Sequence, residues 1–293
     1  MHHPNPGWTL VGLAVIGLAA GLAIIAAQAM AGLAIPPRPA PRAAEGKTPA
    51  DRPGWQLVWS DEFDGANPLP DPKKWVYEEG KVRNNEAQYY TKARAENCRL
   101  ERGMLVIEAR KEPFTGPRGR GDYTSASIET KGLGSWQYGR LEMRARLPQG
   151  RGVWPAFWTL GDKGGWPACG EIDIMEFVGH DPNKTHGTLH WRAGGKHASK
   201  GGNLVVSKPW EAFHVYAVEW TADRIDFFYD DTRFNSIALA QADDGGSNAF
   251  RQPHYLKLNL ALGGSWGGKI DDSVLPQKFI VDYVRVYQRP EKP

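Results

Sequence analysis

Gly170-Glu171-Ile172-Asp173-Ile174-Met175-Glu176-Phe177 places three carboxylates within six residues, and every residue between them is apolar. Ile172, Ile174 and Phe177 favour extended backbone, so the stretch predicts a half-buried β-strand. Side chains alternate along a strand, which puts Glu171 and Asp173 on one face. Glu176 lies an odd number of positions from Asp173 and would fall on the other. One extra residue in a β-bulge corrects the parity, and Met175 is the natural candidate for it. All three acids then point the same way, where their mutual repulsion raises at least one pKa. The plain alternative is an acidic strand face that is solvated or binds a cation. Three acids, a parity-correcting residue and many nearby tryptophans weigh against it.

Carboxylates held in different protonation states suit cleavage of a glycosidic bond, in which one attacks the anomeric carbon and the other protonates the leaving oxygen. In that chemistry Glu171 is the expected nucleophile and Glu176 the acid/base. Asp173, between them, is placed to hydrogen-bond the nucleophile and help set its ionisation. With the bulge, Glu171 and Glu176 are about four strand steps apart, ~13 Å between backbones, so their side chains must lean together.

The remaining chain bounds the reading. Its 293 residues are 41% hydrophobic and 24% charged, an ordinary globular composition. A net charge of +3 with no long basic run argues against a nucleic-acid binder. Residues 1–35 are a separate object. From Trp8 to Ile35 the only polar side chains are Thr9 and Gln28, so the run is long enough to span a bilayer. It reads as an N-terminal signal peptide or a membrane anchor, with Ala27-Gln28-Ala29 as a small-x-small cleavage pattern. Residues 36–54 carry six prolines and read as an extended linker. Residues 55–290 then form the folded domain, exported or facing outward from a membrane and expected to act as a monomer. Cys98 and Cys169 are expected to be buried free thiols.

The domain reads as short strands punctuated by Gly, Pro, Asn and Asp, the pattern of an all-β two-sheet antiparallel sandwich. Met104–Arg110, Tyr138–Arg146, Tyr255–Leu262 and Phe279–Tyr287 are strand segments. Phe213–Trp220 and Arg224–Tyr229 predict a hairpin through Thr221-Ala222-Asp223. No amphipathic helix of ten or more residues is visible in the domain.

Glu171-Ile172-Asp173-Ile174-Met175-Glu176 resembles the active-site motif of family 16 glycoside hydrolases, and its extra Met resembles the laminarinase (endo-β-1,3-glucanase) branch. The similarity extends to Trp59-Ser60-Asp61-Glu62-Phe63, Asn84-Asn85-Glu86-Ala87-Gln88-Tyr89-Tyr90-Thr91 and Trp154-Pro155-Ala156-Phe157-Trp158. It continues through Trp166-Pro167-Ala168-Cys169-Gly170, His186-Gly187-Thr188-Leu189-His190-Trp191, Asn259–Trp266 and Val281–Tyr287, in the family's order.

The resemblance implies a jelly roll with a concave substrate cleft and a retaining endo-hydrolase of β-1,3-glucan. It implies that Trp154, Trp158 and Trp266 line the cleft on the non-reducing side of the cut. His190 is implied near the acid/base, and Asn84 and Asn85 as hydrogen-bonding partners of sugar hydroxyls. No catalytic cofactor is implied; a structural Ca²⁺ is, on Glu62, the Gly103 carbonyl and Asp282, since hard oxygen ligands suit that ion. Trp59, Trp75, Trp136 and Trp220 are expected in the core. The chain departs from the family at Val82-Arg83, where many members carry a Trp, and at Ser127, where many carry an Arg. The rival activities are mixed β-1,3-1,4-glucan or galactan hydrolysis. A non-catalytic glucan-binding protein on the same fold would be expected to have lost one or both glutamates.

Overall fold

The structure is a computed structural model and describes residues 50–290. The expected N-terminal signal or anchor, and residues 36–49 of the linker, lie outside the described residues. In chain order the strands are β1 (Gln56–Asp61), β2 (Val76–Tyr77), β3 (Tyr89–Tyr90), β4 (Cys98–Glu101), β5 (Met104–Gly116), β6 (Gly119–Ser125) and β7 (Ser127–Glu129). There follow β8 (Gly139–Arg146), β9 (Val153–Gly161), β10 (Glu171–Glu176), β11 (Lys184–Ala193), β12 (Lys196–Val205), β13 (His214–Trp220), β14 (Arg224–Tyr229) and β15 (Thr232–Ala238). A small hairpin, β16 (Asp243–Asp244) and β17 (Ser247–Asn248), precedes β18 (His254–Leu262) and β19 (Gln277–Gln288). Among the described residues no helix exceeds four residues.

Two sheets hold nearly all of this. One runs β12-β11-β10-β9-β18-β7-β2; the other runs β15-β14-β13-β8-β19-β5-β6-β3, with β1 added on β19 and β4 on β5. Pairing is antiparallel except between β3 and β6. This is the all-β sandwich expected from the strand pattern.

Alternation builds the core between the sheets. Along β11, Thr185, Gly187, Leu189 and Trp191 are buried, while Lys184, His186, Thr188 and His190 alternate with them toward the opposite side. Gly187 is dictated by packing: a Cβ there would lie 2.4 Å from the Phe227 ring, which crosses from the other sheet. Ile172, Ile174, Met175, Phe157 and Leu258 meet Leu141, Met143, Val218, Phe227 and Val284 in one continuous core. Each fully buried side chain of this kind contributes roughly 1.5–3 kcal/mol relative to exposure.

The predicted hairpin is β13–β14, paired from Tyr216↔Tyr229 to Trp220↔Ile225. β5 runs six residues past the expected Arg110 and carries Pro113 inside it. The ladder to β6 slips between Lys111 and Phe114, which removes the need for a proline N–H there. Trp75 and Trp220 are fully buried, and Trp59 and Trp136 pack against the core, as expected.

Candidate active site

β10 lies mid-sheet between β9 and β11 and carries the three acids. Against β9, Asp173 faces Trp158 and Met175 faces Phe157; against β11, Asp173 faces Thr188 and Glu176 faces His186. One residue is therefore extra between Asp173 and Glu176, as the parity argument requires. The register assigns it one position earlier than expected, since it is Ile174 that has no partner on β9. Ile174 and Met175 share the apolar side of the bulge and are both buried, because a bulge sets two residues opposite one. Glu171, Asp173 and Glu176 consequently line a single cleft of about 590 Å³, together with Arg83, Asn84, Trp154, Trp158, Leu160, Trp166, Thr188, His190 and Trp266.

The acids have unlike surroundings. Asp173 is buried at 3% exposure, while Glu171 and Glu176 remain partly open to the cleft. Burial and the neighbouring charge of Glu171 push the Asp173 carboxyl well above its usual range, so it holds a proton and hydrogen-bonds Glu171. Enclosure of the carboxyl is the main cause that pushes Glu176 well above its ordinary 4.5, and the neighbouring carboxyl of Asp173 adds to it. The Trp154 indole Nε1–H donates to Glu176 Oε1 at 3.0 Å and partly opposes that rise. Glu171 Oε2 accepts a short hydrogen bond from Trp166 Nε1. His190 Nε2 stands 3.1 Å from Asp173 Oδ2.

A buried polar chain holds the sugar-facing aromatics. Trp158 Nε1 donates to Asn259 Oδ1 at 2.7 Å, Asn259 Nδ2 donates to the Tyr90 hydroxyl at 3.1 Å, and Tyr90 donates to Glu86 Oε2 at 2.9 Å. Glu86 also accepts from Gln88 at 2.7 Å and from Asn84 Nδ2 at 3.3 Å. The Asn84 turn is tied to the Trp266 turn by Ser265 N–H donating to the Asn84 carbonyl at 2.8 Å. Trp266 meets Trp154 edge to face at 5.6 Å.

Of the expected substrate contacts, Asn84, Trp154, Trp158, His190 and Trp266 are on the cleft wall. Asn85 is not: it is exposed and borders a shallow surface hollow instead. Asn84 and Asn85 both take left-handed backbone (φ 54° and 53°), which Asn tolerates and which aims adjacent side chains in different directions. Arg83 occupies the region around Ser127. Both Arg83 Nη2 and the Ser127 hydroxyl donate to Glu78, and the guanidinium lies 5.0 Å from the Trp158 ring centre. The sequence reading missed Trp166 as a site residue; its signal was an aromatic in a Gly/Pro loop five residues before Glu171.

The residues expected to hold calcium lie beside arginines. Glu62 gives both oxygens to Arg285, at 2.8 and 2.9 Å, and Asp282 Oδ2 pairs with Arg144 at 2.6 Å. Gly103 is the positive-φ glycine in the β4–β5 turn. A guanidinium thus lies on each of the two carboxylates. Cys98 and Cys169 are free and buried, and burial pushes the Cys98 thiol up to about 12.

A jelly-roll sandwich with a tryptophan-lined cleft across a strand of three unlike carboxylates defines a carbohydrate-cleaving enzyme. Residues 84–285 match the model of glycosyl hydrolases family 16. The chain is 48% identical over 251 residues to the beta-glucanase of Rhodothermus marinus, covering 80% of this chain and 86% of that one. It is 37% identical over 251 residues to the glucan endo-1,3-beta-glucosidase of Cryptopygus antarcticus, covering 79% and 91%. The X-ray structure of the laminarinase from Rhodothermus marinus superposes with a TM-score of 0.74 at 46% identity, covering 81% of this chain and 98% of that one. The chain belongs to glycosyl hydrolases family 16 and is a glycoside hydrolase.

Proposed function

We propose that this enzyme cleaves internal β-1,3 links of a glucan with retention of configuration, Glu171 acting as nucleophile and Glu176 as acid/base. The observation that carries this reading is the split in environment along β10, where Glu176 is kept protonated by enclosure while Glu171 faces the cleft with an indole N–H on one oxygen. The relatives named as β-1,3-glucan-cleaving enzymes support the substrate.

In the first step a Glu171 carboxylate oxygen attacks the anomeric carbon. The bond to the leaving oxygen breaks, and that oxygen takes the proton of Glu176. In the second step Glu176, now a carboxylate, removes a proton from water, whose oxygen displaces Glu171 from the anomeric carbon. The protonated Asp173 donates to Glu171 and eases its departure. Trp158 and Trp154 present ring faces and edges to the sugar, and Asn84 supplies polar contact.

The apolar run in residues 8–35 and the proline-rich segment after it support export, with the domain either released or tethered by that run. A monomer is the assembly this reading needs. Proton NMR of the first product tests the mechanism. An initial β-anomer from laminarin, and a glycosyl adduct on the Glu171 peptide with a 2-fluoro substrate, are expected; an initial α-anomer would overturn it.

A further inference from the structure

Asp173 Oδ2 is buried, and His190 Nε2 stands 3.1 Å from it, off the line of an ideal hydrogen bond. The other nitrogen of His190, Nδ1, is 2.9 Å from Nε2 of His197 on the neighbouring strand β12. His190 and His197 are diagonal cross-strand neighbours, since His190 pairs with Ser199 and Arg192 with His197. Their rings lie within 14° of a common plane with centres 5.1 Å apart, the arrangement of two imidazoles joined nitrogen to nitrogen. On its other side His197 meets the Trp166 ring at 4.8 Å, and Trp166 donates to Glu171. Glu171, Trp166, His197, His190 and Asp173 therefore close a circuit drawn from the β9–β10 loop and three successive strands.

We propose that His197 is a positioning residue of the reaction, setting the tautomer of His190 so that its Nε2–H faces Asp173. A neutral imidazole carries one N–H. Asp173 shares its proton with Glu171, so toward His190 the carboxyl presents lone pairs, and the ring nitrogen 3.1 Å away avoids lone-pair repulsion by carrying a hydrogen. His190 can offer Nε2–H only if Nδ1 is an acceptor, and His197 Nε2–H is the donor that makes it one. The same contact fixes the ring plane of His190, much as outer partners orient histidines at metal centres. His197 also braces Trp166 across the cleft mouth, so the hydrogen bond to Glu171 depends on it as well. The signal in the sequence was weak, because β12 is a polar edge strand in which a histidine reads as an ordinary surface residue.

This inference rests on Glu171 being the nucleophile and Asp173 the group that hydrogen-bonds it. The test compares the wild type with His197→Ala and His197→Gln, whose amide N–H can still donate to Nδ1. His197 is exposed on an edge strand, so both variants are expected to unfold at the wild-type temperature. His197→Ala is expected to lower kcat on laminarin about tenfold, the worth of roughly one hydrogen bond, with KM changed less than about twofold. His197→Gln is expected to recover most of the loss. Nitrogen-15 NMR of the His190 side chain is expected to show the Nε2–H tautomer in wild type and a mixture in His197→Ala. An unchanged kcat in His197→Ala, an unchanged His190 tautomer, or failure of His197→Gln to rescue would each overturn the proposal. A wild type inactive on every glucan would overturn instead the proposed function of Glu171 and Glu176.

Discussion

At the scale of single residues, the site depends on placing like charges where water is scarce. Glu176→Gln is expected to lower kcat about 10²–10⁴-fold, the range for removing a positioned general acid. Wild-type turnover should fall as pH rises through the elevated Glu176 pKa, because the leaving oxygen then has no proton to take. The same shift has a cost in stability. Folded Glu176 titrates above its ordinary 4.5, so above that pH the folded state binds more protons than the unfolded state. Stability contributed by this group is complete below about pH 4.5 and declines as pH rises toward the folded pKa. Glu176→Gln removes the decline. Its melting temperature should exceed that of the wild type by a margin that grows between pH 5 and pH 8; a margin that shrinks over that range would show the carboxyl is not held protonated by burial.

At the scale of elements, the cleft is a set of turns laced to a rigid sheet. Gly264 has φ +73°, and a Cβ there would lie 2.9 Å from the Asn84 carbonyl oxygen. Gly264→Ala should therefore cost roughly 1–3 kcal/mol and pry the Asn84 turn from the Trp266 turn. We expect KM for laminarin to rise several-fold with kcat less affected; a variant with wild-type stability and KM would show that the two turns are not coupled. Much of this architecture was legible in the chain. The parity of Glu171, Asp173 and Glu176 required an extra residue, and the register contains it, because alternation on a half-buried strand is strict. β13–β14 was legible for the same reason. β12 was not, since Gly201, Gly202 and flanking polar residues on an exposed edge carry no apolar period. With β12 unseen, the His190–His197 pair was out of reach of the sequence. Asn85 came from the resemblance, which carries no local backbone geometry, and two consecutive left-handed residues set it off the wall that holds Asn84.

At the scale of the molecule, the two sheets share one continuous core that runs under both the cleft and the opposite sheet. The domain should therefore unfold in one transition, with tryptophan fluorescence and far-ultraviolet circular dichroism giving coincident curves. Separated transitions would mean that the cleft-bearing sheet melts on its own. The arginines that pair with Glu62 and Asp282 tie the residue just after β1, and β8, to β19 by direct ion pairs. A chelator tests whether a cation also sits there: an unchanged melting temperature would show that the ion pairs suffice, and a fall of more than a few degrees would show a bound cation.

The central claim is that β10 carries a retaining dyad acting on β-1,3-glucan, and reducing-sugar release from laminarin, lichenan and agarose by the wild type and by Glu171→Gln tests it most directly. The account predicts rapid release from laminarin that disappears in Glu171→Gln while the variant still binds the polysaccharide. Release confined to lichenan or agarose would contradict the substrate, and undiminished release by Glu171→Gln would contradict the assignment of the nucleophile.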